Sequence, residues 1–442
     1  MLKQIIFGLA LVAAFGKAAA AATDVLTVSI ATAGQYEIHY WVPFGSLQDS
    51  VPGVAHVLEH LKFAYGGPHS LDGLKTIQGS VTGASTTYRY TQFEVSIASE
   101  HLAEALKTLS LVAGPLPIEQ KELSREQQVV SQELIERQNA NPDGPFYEAF
   151  ERKIMDGTPY AFLPGGTLES VAKVTMDDVA KFNAAHYVNA NGFLVIAGPP
   201  MTLAQQHIVK SAFPSTNTAF VIVDRQRKSK KLDTGLGAAP AFLPPVVAMS
   251  LPHDQFQLEQ PSAHVNTPRL IYSKLIPASL TWKQMIASII IESAMNSRLQ
   301  EGLTDVIAED TGLVQRFNVN IDTSFPNFLR LDLTASLVNG VPVQKVTSTY
   351  DAWLKKLTRE GLTEKTFSRI KARFFLHDEW DDVEARLREL SAMSVYYGFA
   401  TASSLRATLQ DLKLDDANGL LRLLATDGRV GLGVLQPQGA NP

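Results

Sequence analysis

The sequence predicts an α+β protein made of two similar α+β halves. Three observations carry that expectation. Strand-period alternation and helix-period repeats occur together in both halves of the chain. A Pro- and Gly-rich interval separates the halves, and the order of elements restarts beyond it. The expected division is a leader over residues 1–22, a first domain over 23–213, a linker over 214–267 and a second domain over 268–442.

In the first half, Leu26, Val28 and Ile30, then Tyr36, Ile38 and Tyr40, alternate with polar or small residues, the period of half-buried strands. A polar turn over 45–50 leads through Pro52-Gly53 into a helix carrying His56 to Phe63. Phe93, Val95 and Ile97 mark another strand, and Leu102, Leu106 and Leu109 repeat at helical spacing behind it. Pro115 and Pro117 break the chain ahead of a long helix over 118–137. The interval 214–267 centres on Gly235-Leu236-Gly237-Ala238-Ala239-Pro240 and Pro244-Pro245, a linker composition. Beyond it come a strand at 270–275, a helix at 282–299, a strand at 328–337 and a helix at 343–357. Phe367-Ser368-Arg369 stands relative to its helix as Leu123-Ser124-Arg125 does in the first half, which points to duplication.

At 442 residues, with 45% hydrophobic and 19% charged, the chain can build two or more cores. A net charge of −5 supplies no basic field for nucleic acid or an anionic membrane. The run Arg225-Gln226-Arg227-Lys228-Ser229-Lys230-Lys231 reads as a solvated loop rather than a polyanion patch. Lys3, the apolar stretch 5–15 and the small residues 18–22 read as a cleaved signal peptide, with a retained anchor helix as the alternative. The expected location is periplasmic or secreted. There are no cysteines, so a metal site must use His and carboxylate ligands. No later stretch approaches the about 20 apolar residues of a membrane span, and the mature chain is expected to be soluble.

The chemistry concentrates in His56-Val57-Leu58-Glu59-His60. On a helix, positions i and i+4 share a face and i+3 is their neighbour, so both imidazoles can reach one ion. Two His plus one carboxylate is the ligand set of an open zinc (Zn2+) site, whose fourth position holds water. Zinc lowers the pKa of that water to about 7, and Glu59 is placed to take its proton as general base for peptide hydrolysis. This residue order is the inverzincin pattern. Chance produces such a pentapeptide in about one sequence in a hundred of this kind, so context must decide.

The helix over 118–137 offers the third ligand. Glu126 and Glu133, seven apart, lie within about 20° of one face but about 10 Å apart along the axis, so one touches the ion and the other orients a ligand. Glu119, Glu122 and Glu136 read as a solvated face.

With these residues the sequence resembles the insulinase/pitrilysin family of zinc peptidases, which includes the mitochondrial processing peptidase. There, the His-x-x-Glu-His helix follows a strand and a Gly-containing turn, as Trp41-Val42-Pro43-Phe44-Gly45-Ser46 does here, and precedes a Phe such as Phe63. The family's Glu-x6-Glu pair matches Glu126 and Glu133, and the resemblance implies Glu133 as the zinc ligand with Glu126 supporting it. Thr158-Pro159-Tyr160, the stretch Gly166-Thr167-Leu168-Glu169-Ser170 and residues 174–198 resemble the end of the family's first domain. The likeness covers most of 25–200 and is weaker through Ser297-Arg298-Leu299. It implies a clamshell of two α+β halves around a chamber, admitting peptides or unfolded segments that add to a sheet edge. Opening and closing would gate turnover.

Three departures shape what is expected. The spacing from His60 to Glu133 is a few residues shorter than usual, absorbed around Gly66-Gly67-Pro68. The segment Gly79-Ser80-Val81-Thr82-Gly83-Ala84-Ser85-Thr86 has Gly83 where the family has a substrate-holding Asn. Most consequentially, the second-domain Arg and Tyr that contact substrate fall on Ala308 and Gln315. The expected protein is therefore the zinc-bearing subunit of a heterodimer, with a related zinc-lacking partner supplying the Arg/Tyr pair. A non-catalytic assembly or scaffold subunit is the main alternative. A zinc carrier is a weaker one, because a carrier has no use for a base such as Glu59.

His39, His69, His101, His186, His207, His253, His264 and His377 lack partners at ligand spacing and read as surface or structural. Trp41, Trp282, Trp353 and Trp380 read as packing residues. Gly66-Gly67 lacks the Lys-Ser/Thr of a phosphate loop.

Overall fold

The computed structural model describes residues 24–30, 33–114, 116–188, 192–214, 218–223, 254–325, 327–376 and 408–439. The expected leader over 1–22, the basic run at 225–231, His253, His377 and Trp380 lie outside them. Among the described residues, no helix is long and apolar enough to cross a membrane.

The first half opens with β1 (Asp24–Ile30) and β2 (Gln35–Val42). As the alternation requires, Tyr36, Ile38, Tyr40 and Val42 of β2 point into one core. Helix α1 (Val54–Ala64) and the short α2 (Leu71–Leu74) precede β3 (Val81–Thr86) and β4 (Thr91–Ala98), whose Phe93, Val95 and Ile97 enter the same core. Leu102, Leu106 and Leu109 of α3 (Leu102–Ala113) close over it at helical spacing. The long α4 (Gln120–Ala140) and α5 (Gly144–Ile154) follow, then α6 (Leu168–Lys173), α7 (Met176–His186), β5 (Phe193–Gly198), α8 (Leu203–Ala212) and β6 (Thr218–Val223).

The second half contains β7 (Gln255–Ser262), β8 (Arg269–Pro277), α9 (Trp282–Met295), β9 (Val314–Asp322), β10 (Phe328–Leu337), α10 (Val343–Glu360), α11 (Glu364–Leu376), α12 (Leu414–Leu424) and β11 (Arg429–Pro437). The first sheet runs β3-β4-β2-β5-β1-β6 and the second β7-β11-β8-β10-β9. Read from the other edge, the second order is that of the first without β6. The pair β1/β5 is parallel, as is β7/β11, and the intervening pairs are antiparallel in both sheets. This shared topology is what duplication would leave. Leu123 and Phe367 occupy the same turn of α4 and α11, and both are buried. Counted from that pair, the second half has the buried Ile370 where the first has Glu126.

The interval 214–267 gives one strand to each sheet. β6 pairs with β1 and β7 pairs with β11, while 224–253 lie outside the described residues. Helix α5 crosses from its own half to the other. Its Phe150 and Ile154 pack with Leu275, Phe325 and Phe328. Glycine is required at Gly433 of β11, because a Cβ there would stand 2.8 Å from Phe150 Cδ2. Arg330 of β10 pairs with Glu151 of α5, and Arg429 Nη1 donates to the Ile154 carbonyl at 3.1 Å.

Candidate metal centre

Helix α1 is buried on nearly every side: Val54, Ala55, Val57 and Leu58 are all fully buried. It packs against α4, α7 and β3, so any polar group it carries needs partners there. Its start is fixed from outside the helix. Gly53 takes φ +100°, and Asp49 accepts the N–H of Gly53 at 2.7 Å and of Ala55 at 2.8 Å. Burial nevertheless pushes the Asp49 carboxyl up to about 7, against those backbone bonds.

The donor atoms of His56, Glu59 and His60 lie within 4.8 Å of one another. Opposite them, Glu126 and Glu133 sit on the stripe of α4 otherwise formed by Leu123, Val130 and Leu134. Glu133 Oε2 stands 3.6 Å from His56 Nε2 and 3.3 Å from His60 Nε2. Donors about 2.0–2.2 Å from a tetrahedral zinc are spaced about 3.4 Å apart, so Glu133 stands at ligand spacing from each imidazole, and two imidazoles with a carboxylate are a donor set that suits that ion. Glu126 Oε2 lies 3.6 Å from the other nitrogen of His60, Nδ1. The ring of His60 thus bridges the axial distance between the two glutamates, and each meets a different edge of it. His56 meets His60 edge-on, at a centroid distance of 4.8 Å.

Glu59, 6% exposed, accepts the Thr86 hydroxyl on Oε2 at 2.6 Å. Burial pushes its carboxyl up to about 7, although the Thr86 bond favours the anion. Burial holds His56 down at about 4, with the charge of His60 adding to the effect. Burial also disfavours the His60 cation, but Glu126 and Glu133 outweigh it and raise that group to about 9. Contact with His60 holds Glu133 down at about 2. Glu126 is raised by burial, yet its bonds to His60 and Arg125 bring it below the usual range. A dication held there would invert this balance by replacing protons on the imidazoles.

The residues singled out in the sequence are thus brought together: His56, Glu59, His60, Glu126 and Glu133. Glu119, Glu122 and Glu136 are outside the cluster. Glu122 caps α4 through the Glu119 N–H, and Glu136 meets Gln132. His39 contacts Gln92 and Glu94 on the sheet, and His186 stacks on Phe44. Sequence reasoning missed Asp49 and Thr86 in these roles, and Arg137, whose Nη2 donates to Glu133 Oε1. Arg137 had a local signal, standing four residues after Glu133 on one helix. Thr86 had none, because β3 meets α1 only in the fold. Ala308 lies partly buried against the second core, and Gln315 is exposed on β9.

Two halves of one topology, with a His-x-x-Glu-His helix facing two glutamates in the first, define a two-domain α+β fold with a candidate metal centre in its first half. Residues 24–161 match the family model Insulinase (Peptidase family M16), a little under a third of the chain. It is 27% identical over 175 residues to the zinc protease PqqE of Helicobacter pylori, covering 37% of this chain and 38% of that protein. The match therefore spans little more than a third of that relative's length. A crystal structure of a protease from Helicobacter pylori shares the fold with a TM-score of 0.74 at 19% identity, over 94% of this chain and 97% of that one. A peptidase M16 inactive domain from Pseudomonas fluorescens does so with a TM-score of 0.71 at 16% identity, over 96% and 97%. At such identities the likeness is one of fold, the two-domain clamshell.

Proposed function

We propose that this chain is a zinc-dependent endopeptidase acting on peptides or unfolded segments, as the zinc-bearing subunit of a heterodimer. One observation carries the reading: Glu133 Oε2 of α4 meets, at 3.6 and 3.3 Å, His56 Nε2 and His60 Nε2 of α1, the helix that also carries Glu59. In this reading His56, His60 and Glu133 hold zinc, and Glu126 braces His60. Bound there, zinc supplies Lewis acidity and makes a water acidic enough to act near neutral pH. Glu59 takes the proton on Oε1, since Oε2 is engaged by Thr86, and passes it to the leaving amine. The zinc domain expected over 23–213 gains β6, and the second domain expected over 268–442 gains β7 and serves as its cover, in a protein exported by its leader pattern.

The partner enters through what the second half lacks. With Ala308 and Gln315 at the substrate-contacting positions, this chain has no Arg/Tyr pair to hold a substrate carbonyl, and a related zinc-lacking chain would supply it. The same absence, with the fold likeness to a domain described as inactive, favours a second reading, a non-catalytic assembly subunit. The complete ligand and base set weighs against it.

The test is a zinc-binding and peptidase assay on wild type and Glu59→Gln, each with and without a related chain bearing the Arg/Tyr pair. Wild type is expected to bind zinc, cleave weakly alone and cleave well with the partner. Glu59→Gln should keep zinc and lose about 10²–10⁴ in rate. Equal activity of the two proteins overturns the mechanism.

A further inference from the structure

Arg137 lies one turn beyond Glu133 on α4 and donates from Nη2 to Glu133 Oε1. The other oxygen, Oε2, faces both imidazoles, 3.6 Å from His56 Nε2 and 3.3 Å from His60 Nε2. The carboxylate is thereby divided, one oxygen to the guanidinium and one to the metal side.

We propose that Arg137 is a positioning residue that confines Glu133 to coordination through a single oxygen, keeping the fourth position of the metal open. This rests on the zinc-peptidase reading. A carboxylate with both oxygens free beside a dication can present both, and the second oxygen would take the place that a catalytic site reserves for water. A cationic donor bonded to Oε1 opposes that swing.

An i,i+4 ion pair on an exposed helix face is worth little. Glu133 is not on such a face. Its side chain is 32% exposed and is turned inward to the two imidazoles, while Arg137, at 60%, closes the outer side. The guanidinium is also set against the wall of the site, since a Cβ on Gly165 would stand 3.6 Å from both Arg137 Nη1 and His56 Nδ1. Glu126 repeats the division. Its Oε1 accepts Arg125 Nε at 2.9 Å, and its Oε2 faces His60 Nδ1 at 3.6 Å. Each glutamate therefore offers a single oxygen to the histidines.

The test is the visible absorption of the full chain loaded with cobalt(II), measured per bound ion, because four-coordinate cobalt absorbs more strongly than five-coordinate cobalt. Wild type and Arg137→Lys, which keeps a donor to Oε1, are expected to give the strong band. Arg137→Ala should lose much of it while remaining folded by circular dichroism. A merely structural pair would lower thermal stability and leave the spectrum unchanged. A wild-type spectrum from Arg137→Ala, with binding weakened in Glu133→Gln, overturns this inference and leaves the zinc reading standing. Failure of wild type to bind cobalt or zinc overturns both.

Discussion

Thr86, the last residue of β3, donates its hydroxyl to Glu59 Oε2 on α1 at 2.6 Å. The bond joins the edge strand of the first sheet to the base of the proposed reaction. A hydrogen bond to a charged group contributes about 1.5–3 kcal/mol. Thr86→Val keeps the shape and removes the donor, so kcat is expected to fall about 10- to 100-fold, by the same energies. Zinc content should not change, because no proposed ligand is touched. Thr86→Ser should recover most of the rate. Unaltered kcat in Thr86→Val would show that Glu59 is held by its surroundings alone.

Metal should be visible as stability even where turnover is weak. A ligand bound only by the folded chain, at 100 times its Kd, adds about 2.7 kcal/mol. Zinc is thus expected to raise the melting temperature of wild type, and chelation should return it. Glu133→Gln and His60→Ala should lose most of that rise. Differential scanning fluorimetry with and without zinc decides it, and an equal rise in wild type and Glu133→Gln would remove Glu133 from the ligand set.

How far the site was legible follows from where its parts lie on the chain. His56, Glu59 and His60 share one helix, so their spacing alone places them on one face. Glu126 and Glu133 share another, and spacing restricted them to one stripe. Helical spacing did not disclose that both would reach one ring, His60, from its two nitrogens. Relations between elements were out of reach for the same reason. Nothing local in Gly144–Ile154 says that its apolar face belongs on the second sheet, and the polar alternation of Gln255–Ser262 is hidden in an interval whose composition reads as linker.

Asp49 gives a pH dependence whose sign can be worked out. Its folded-state value of about 7 lies above the ordinary 3.8, so the folded chain holds that proton more tightly than the unfolded one. The resulting stability is fully present below about pH 4 and is lost as pH rises through 7. Asp49→Asn cannot titrate and should lack this slope. Urea midpoints of wild type and variant between pH 4 and 8 should show the wild-type advantage shrinking as pH rises. An advantage that grows with pH would mean that the backbone donors at the start of α1 outweigh burial.

Phe150 against Gly433 tests whether the halves are held together by α5. Phe150 is 1% exposed and packs with residues of the second half, although its own helix follows directly on the one that carries Glu133. Removing the ring should cost about 3–5 kcal/mol, because the rigid strand beneath cannot collapse into the space. Gly433→Ala attacks the same contact from the other side. Its new Cβ would stand 2.8 Å from Phe150 Cδ2, so overpacking of about 1–3 kcal/mol is expected, with the ring displaced. Two changes at one contact should not add: Phe150→Ala makes room for the methyl group, and Gly433→Ala should cost less in that background than in wild type. A double-mutant cycle by urea unfolding measures the difference. Strict additivity would mean that α5 does not press on β11, and the link from the second sheet to the helix of Glu133 would then have to run elsewhere.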